Sequence, residues 1–184
     1  MISDLVNATE KIMNAFESND QVKLRQLSND LIEEAALKSD KVLAQLSLIA
    51  YSLQKMLSKP HIIEAGKWQK IKSTILFSLK KASNELAKKD FDGFKKELDN
   101  ISEKVFQVDA SMGHYVANIY EKAKIKQASK AYAFGLSLMQ AVNLTGAEEK
   151  ELLSYIGATK IHDKEKPLKG INERKKLLEG IFNE

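Results

Sequence analysis

Cysteine is absent from the 184 residues. That excludes a disulfide framework, an iron–sulfur site and a thiol nucleophile, and it suits a reducing, cytoplasmic setting. Only two prolines and eight glycines interrupt the chain, so long helices with few breaks are expected. Arginine is nearly missing. Of 29 basic residues all but Arg25 and Arg174 are lysine, a point charge without the planar fork that reads guanine or grips a phosphate at two points. Long apolar runs are missing as well. The two most apolar stretches, Val42 to Leu57 and Ala131 to Leu144, are interrupted by Ser, Gln and Asn and fall short of the ~20 residues of a membrane span. The opening MISDLVNATEK carries Asp4 and no basic n-region, unlike a signal peptide. No membrane association is expected.

What remains is an ordinary globular composition, 43% hydrophobic with a net charge of +4, enough to build a core without a metal or disulfide. Apolar residues recur at helical spacing almost throughout. Leu5, Ala8, Ile12 and Phe16 mark a first helix that should stop at Ser18-Asn19-Asp20. Val22 to Ala35 marks a second, and Ser39-Asp40 supplies the next N-cap. The stretch from Val42 to Gln54 holds no charge and is apolar around most of its circumference, the pattern of a buried central helix. Pro60 forces a break. A fourth helix is predicted from Ile62 to about Ala87, a turn at Lys88-Lys89-Asp90, and a fifth helix through Phe91, Leu98 and Val108. After a break or kink near Met112-Gly113, the pattern runs from Tyr115 to Val142, with Ala131 to Leu144 as a second buried helix. Thr145-Gly-Ala-Glu148 has the form of a capping box for a helix ending at Gly157, and a polar loop then leads to a terminal helix from about Gly170. No segment alternates as a strand does. The expected fold is all-α: a compact bundle of about seven or eight helices, two of them central and buried. Residues 1–144 should form the bundle and 145–184 a helix-loop-helix packed on it. No repeat period of a solenoid is present.

Chemical signatures are few. His61, His114 and His162 include no closely spaced pair of the kind a zinc site uses. No acidic residue stands three before a histidine, which excludes the ferritin-like ligand pattern. Glu148 and Glu149 fall in the first turn of a helix, where the macrodipole favours them. Neither a P-loop, nor a dinucleotide fingerprint, nor a nucleophile elbow is present. No cofactor, metal or catalytic residue is assigned.

Two features bear on nucleic acid. Lys122, Lys126 and Lys130 stand at i, i+4 and i+8, a stripe that could follow a phosphate backbone, or that could be the solvated face of an amphipathic helix. Residues 59–104 carry 11 basic against 7 acidic side chains and residues 105–144 carry 4 against 2, so the positive bias lies mid-chain, where Lys67 and Lys70 flank Trp68. Trp68 shares the apolar face of Ile71 and Ile75, which points to the core over base stacking. The segment from Glu149 to Pro167 superficially resembles a helix-turn-helix. Leu153 stands where a small residue is needed, however, and Pro167 falls within the would-be recognition helix. The reading favours a non-enzymatic interaction or scaffold protein, with a protein partner or self-association. Its rival is a nucleic-acid-associated protein using a Lys-rich surface over residues 67–130, with Lys67, Lys70, Lys122, Lys126 and Lys130 as contacts. A ligand-binding or enzymatic bundle is the third alternative.

Overall fold

Turn-forming residues divide the chain into short-linked helices. The computed structural model describes residues 2–111 and 119–159, and within them the elements are α1 (Ile2–Glu17), α2 (Gln21–Lys38), α3 (Lys41–Leu57), α4 (Pro60–Ile63), α5 (Trp68–Ala87), α6 (Phe91–Ser111), α7 (Ile119–Ala133), α8 (Leu138–Thr145) and α9 (Glu149–Ala158). No strand occurs among the described residues. The Met112-Gly113 break, His114, His162, Pro167 and the expected terminal helix lie outside them.

One device is used three times. Asn19, Ser39 and Lys89 have φ of 57°, 53° and 64°, the left-handed conformation that ends a helix. Each is followed by an aspartate whose backbone N–H closes the helix behind it, from Asp20 to Ala15, Asp40 to Ala35 and Asp90 to Glu85. The same aspartate's carboxylate opens the helix ahead. Asp20 accepts from Lys23 N, Asp40 from Val42 N and Leu43 N, and Asp90 from Gly93 N. One residue thus satisfies orphan groups at both helix ends. Asp40→Ala is expected to cost about 1 kcal/mol, read as a lower urea midpoint at unchanged m-value; Asp40→Asn should recover most of it.

α3 is the central helix. Every residue of it except Lys41, Val42, Gln45, Tyr51 and Lys55 is buried, and it packs against α1, α2, α4, α6, α7 and α8. The second interior helix is α7, which buries Ile119, Ala123, Gln127, Ala128, Ser129, Ala131 and Ala133 and touches α2, α3, α6, α8 and α9. This corrects the expectation of one buried helix over Ala131 to Leu144. Gly135 takes φ of 104°, which ends α7, and Ser137 and Gln140 form a reciprocal capping box that opens α8. Met139 is left 52% exposed.

The capping box expected at Thr145 is likewise corrected. Thr145 closes α8, its hydroxyl donating to Ala141 O at 2.8 Å, and Gly146 follows in the left-handed region at φ 70°. Glu148 is the N-cap of α9 without a side-chain bond, and the helix runs through Gly157 to Ala158. The helix expected from Ile62 is also divided: α4 lasts one turn after Pro60, the chain turns through Gly66, and α5 starts at Trp68. These extra breaks explain why nine helices stand among the described residues.

α5 and α6 form a hairpin, and α1 lies against α5. Trp68 is 4% exposed and meets Phe16 edge-on, ring centroids 6.0 Å apart. Across the hairpin the buried Glu97 accepts from Lys81 Nζ at 2.6 Å. Burial works to raise the Glu97 carboxyl, but the Lys81 ammonium and the Asn100 amide outweigh it, and the group lies below the ordinary carboxylate range. A carboxyl depressed in the folded state contributes stability above its unfolded pKa of about 4.3 that is lost as pH falls through the folded value. Glu97→Gln should therefore flatten the decline of melting temperature between about pH 5 and pH 3. A variant that declines as steeply as the parent would show that Glu97 contributes nothing to acid unfolding.

Candidate anion-binding pocket

The residues of α3 that escape burial do so on two sides. Gln45 reaches Asp99 of α6, its Nε2 donating at 2.8 Å. Tyr51 and Lys55, one turn apart, open with Gln54 onto a cavity of about 450 Å³ walled by α2, α3, α7 and α9. Arg25 and Asn29 line it from α2, Lys126 and Lys130 from α7, and Tyr155 from α9. The spacings explain the convergence, since 25/29, 51/55 and 126/130 are i, i+4 pairs that share one helix face.

A buried polar junction beside the cavity fixes the register of the three long helices. Ser28 Oγ lies 3.0 Å from Ser47 O, Ser47 Oγ donates to Ser28 O at 2.8 Å, and Gln127 Nε2 donates to Ser28 Oγ at 2.8 Å. Ser28 precedes Asn29 and Gln127 follows Lys126, so the same contacts that lock α2, α3 and α7 aim the cavity's side chains.

Four cations face this space and no carboxylate is among its described lining residues. Lys130 Nζ donates to Asn29 Oδ1. Because an ammonium can only donate, the Asn29 amide must turn its NH₂ away from the lysine. Lys126 Nζ donates to the Tyr155 hydroxyl at 3.0 Å, which leaves that hydroxyl its own proton to give. Lys55 Nζ sits 5.4 Å from the Tyr51 ring centroid, a contact that holds an ammonium over a ring face. Burial pushes the Tyr51 hydroxyl up, Tyr155 adds to the rise and the Arg25 guanidinium opposes it, so the Tyr51 group stays a proton donor. Arg25, Lys55, the Tyr51 and Tyr155 hydroxyls and the Gln54 NH₂ thus offer N–H and O–H groups to whatever enters.

The residues singled out in the sequence fall in separate places. Lys126 and Lys130 share the cavity with Arg25 and Lys55. Lys122 is exposed on α7, one turn before Lys126. Lys67 and Lys70 are exposed and line, with Ile71, Thr74, Lys104, Gln107 and Val108, a groove of about 340 Å³ between α5 and α6. The two basic sets share no helix. Arg25, Lys55, Tyr51 and Tyr155 were not singled out, because each lies alone in sequence among residues of ordinary helix patterning. Only their convergence from α2, α3 and α9 with Lys126 and Lys130 of α7 gives them meaning. Among the described residues no group of acidic or histidine side chains could hold a metal ion, and no helix is long and apolar enough to cross a membrane. Compared with known proteins, the chain matches no family, no curated sequence and no solved structure.

Proposed function

We propose that the protein is a cytoplasmic binding protein for an anionic ligand, held in the cavity between α2, α3, α7 and α9, and that it acts by association, not catalysis. The observation that carries this reading is the convergence of Arg25, Lys55, Lys126 and Lys130 on one cavity without a carboxylate among the described lining residues. Like charges held together destabilise the compact state, and Arg25, Lys55 and Lys126 have no carboxylate partner among the described residues, so these three are best explained by a ligand that compensates them. The cavity falls within the size range of small-molecule sites. This reading keeps the non-enzymatic expectation and narrows the lysine surface to a pocket. A protein partner or a second copy has less support, since the large exposed apolar side chains, Val22, Leu37, Ile63, Phe77, Phe106, Met139 and Leu153, are spread over six helices, with no helix contributing more than two.

The test is thermal unfolding of the full chain at constant ionic strength. A ligand at about fifty times its dissociation constant stabilises by roughly 2 kcal/mol, a rise of several degrees for a chain of this size. Millimolar pyrophosphate should give that rise, and Arg25→Gln should lose most of it. Arg25 is exposed and makes no hydrogen bond or ion pair, so the variant keeps its fold. No rise in the parent, or an equal rise in the variant, would sink the proposal; the second result would mark a general salting effect.

A further inference from the structure

We infer that the anion held in this pocket is a nucleoside phosphate, whose base edge pairs with the side-chain amide of Gln54. The inference rests on the reading that the cavity binds an anion, and goes beyond it in naming what the anion carries. Its starting point is a polar group without a partner. Gln54 is 9% exposed at the cavity wall, and its side-chain amide makes no hydrogen bond. Neither atom of that amide is sealed in the interior, since among the described residues the one sealed side-chain atom without a bond is Gln127 Oε1. The Gln54 amide therefore opens into the cavity, with two donor protons and an acceptor oxygen to satisfy.

A bare anion meets half of that need. Phosphate oxygens accept from the NH₂ and leave Oε1 without a donor, and displacing solvent without replacing its hydrogen bond costs affinity. The flanking cations do not fill the gap. Lys126 donates to the Tyr155 hydroxyl, Lys130 to Asn29 Oδ1, and Lys55 lies over the Tyr51 ring. The ligand must bring a donor and an acceptor side by side, rigid enough to face one amide. A nucleobase edge has that form: glutamine pairs with adenine by accepting from N6 and donating to N7.

The other walls suit the rest of such a molecule. Tyr51, three residues before Gln54, and Tyr155 of α9 add aromatic rings to the lining, on which a base can stack. Arg25 of α2 makes no hydrogen bond or ion pair, and its planar fork suits two oxygens of a phosphate. One cavity thus holds a fork for the phosphate, rings for the base and an unmet amide for the base edge. An inorganic anion, a dicarboxylate and a sugar phosphate each lack the flat donor–acceptor edge.

Calorimetry on the full chain, at constant ionic strength, compares the common ribonucleoside monophosphates with ribose 5-phosphate and pyrophosphate. The tightest mononucleotide should bind at least about tenfold more strongly than ribose 5-phosphate, the gain that the amide pairing and stacking add to a shared phosphate. Gln54→Leu, close in volume and without an amide, should cut that ratio at least about threefold. Removing an unpartnered polar group breaks no hydrogen bond of the core, so the variant keeps its fold, which its melting temperature checks. Arg25→Gln should weaken nucleotide and ribose 5-phosphate alike. A strand end carries the same chemistry, so the last arm is a short 5′-phosphorylated oligonucleotide beginning with the preferred nucleotide. Tighter binding of that strand than of the mononucleotide assigns a strand end, and equal or weaker binding a free nucleotide; both support the inference. Ribose 5-phosphate binding within about tenfold of every mononucleotide overturns it, as does a smaller cut of the ratio in Gln54→Leu. If pyrophosphate binds and no nucleotide does, the base pairing is overturned and the anion site stands. If no phosphate-bearing ligand binds, the anion-binding reading itself fails.

Discussion

Phe16→Ala is expected to lose about 3–5 kcal/mol of stability. Phe16 is fully buried at the end of α1. Its ring meets Trp68 at an interplanar angle of 89°, the edge-to-face arrangement that adds to area burial. The Lys72 ammonium lies 5.7 Å from the ring centroid. That lysine donates to Glu17 O and Asn19 Oδ1, each at 2.8 Å, so α5 supplies a cation to the carbonyl end of α1, where the helix dipole favours it. Burial lowers the Lys72 ammonium, and the nearby Glu17 works against that. Truncating Phe16 therefore opens a cavity and loosens the docking of α1 on α5 together. For a protein whose total stability is of order 5–15 kcal/mol, the melting temperature should fall by roughly 6–20 °C. Phe16→Leu, which keeps most of the volume, should lose much less. A loss under about 1 kcal/mol for the alanine variant would mean that α1 does not pack on α5 through this ring.

The second large effect is a gain of stability with a loss of binding. Gln54→Glu changes one atom of a side chain at the cavity wall and places a carboxylate among Arg25, Lys55, Lys126 and Lys130. Those cations should hold the new carboxyl below its ordinary value, a gain of stability of roughly 1–2 kcal/mol at neutral pH. With a depressed folded pKa, the gain is present above the unfolded pKa of about 4.3 and disappears as pH falls through the folded one. The ligand-free variant should therefore melt a few degrees higher than the parent at pH 7, and equally with it near pH 3. The same carboxylate occupies the donors an anion needs, so binding of pyrophosphate should weaken at least about tenfold. A variant that is less stable at pH 7, or that binds as before, would place Gln54 away from the cations. Sites tuned for binding commonly sacrifice stability in this way.

The helices of the first hundred residues are legible because their punctuation is local. Asn19-Asp20, Ser39-Asp40 and Lys89-Asp90 each carry both the helix stop and the next helix start, and Pro60 breaks the chain wherever it stands. The uncharged run from Val42 to Gln54 reads as interior because a helix without a polar face has no surface to show water. Misreadings arise where two signals compete. At Gly135 the apolar run of Ala131 to Leu144 suggested continuity, yet the glycine's left-handed turn and the Ser137–Gln140 box decide the matter over a few residues. At Thr145 a correct capping pattern sits one residue too close to Gly146, whose left-handed turn makes Thr145 the end of a helix and not the start of one.

The pocket was half visible. Lys126 and Lys130 stand out as a stripe, but a stripe does not show which charges it will meet. Arg25 and Lys55 lie 30 residues apart on different helices, and only the packing of α2 and α3 through Ser28 and Ser47 brings them to one side. A lysine on a helix face reads the same in one sequence whether it ends in water or in a cavity. Lys122 and Lys126 differ in nothing but that.

Calorimetric titration of pyrophosphate into the full chain, beside Gln54→Glu, tests most directly whether this cavity is an anion site. At about pH 7.5 and about 0.1 M salt, where long-range surface electrostatics are screened, the parent should give one saturable binding event and the variant should bind at least about tenfold more weakly. Heats no larger than dilution in the parent, or equal binding by the two proteins, would contradict it.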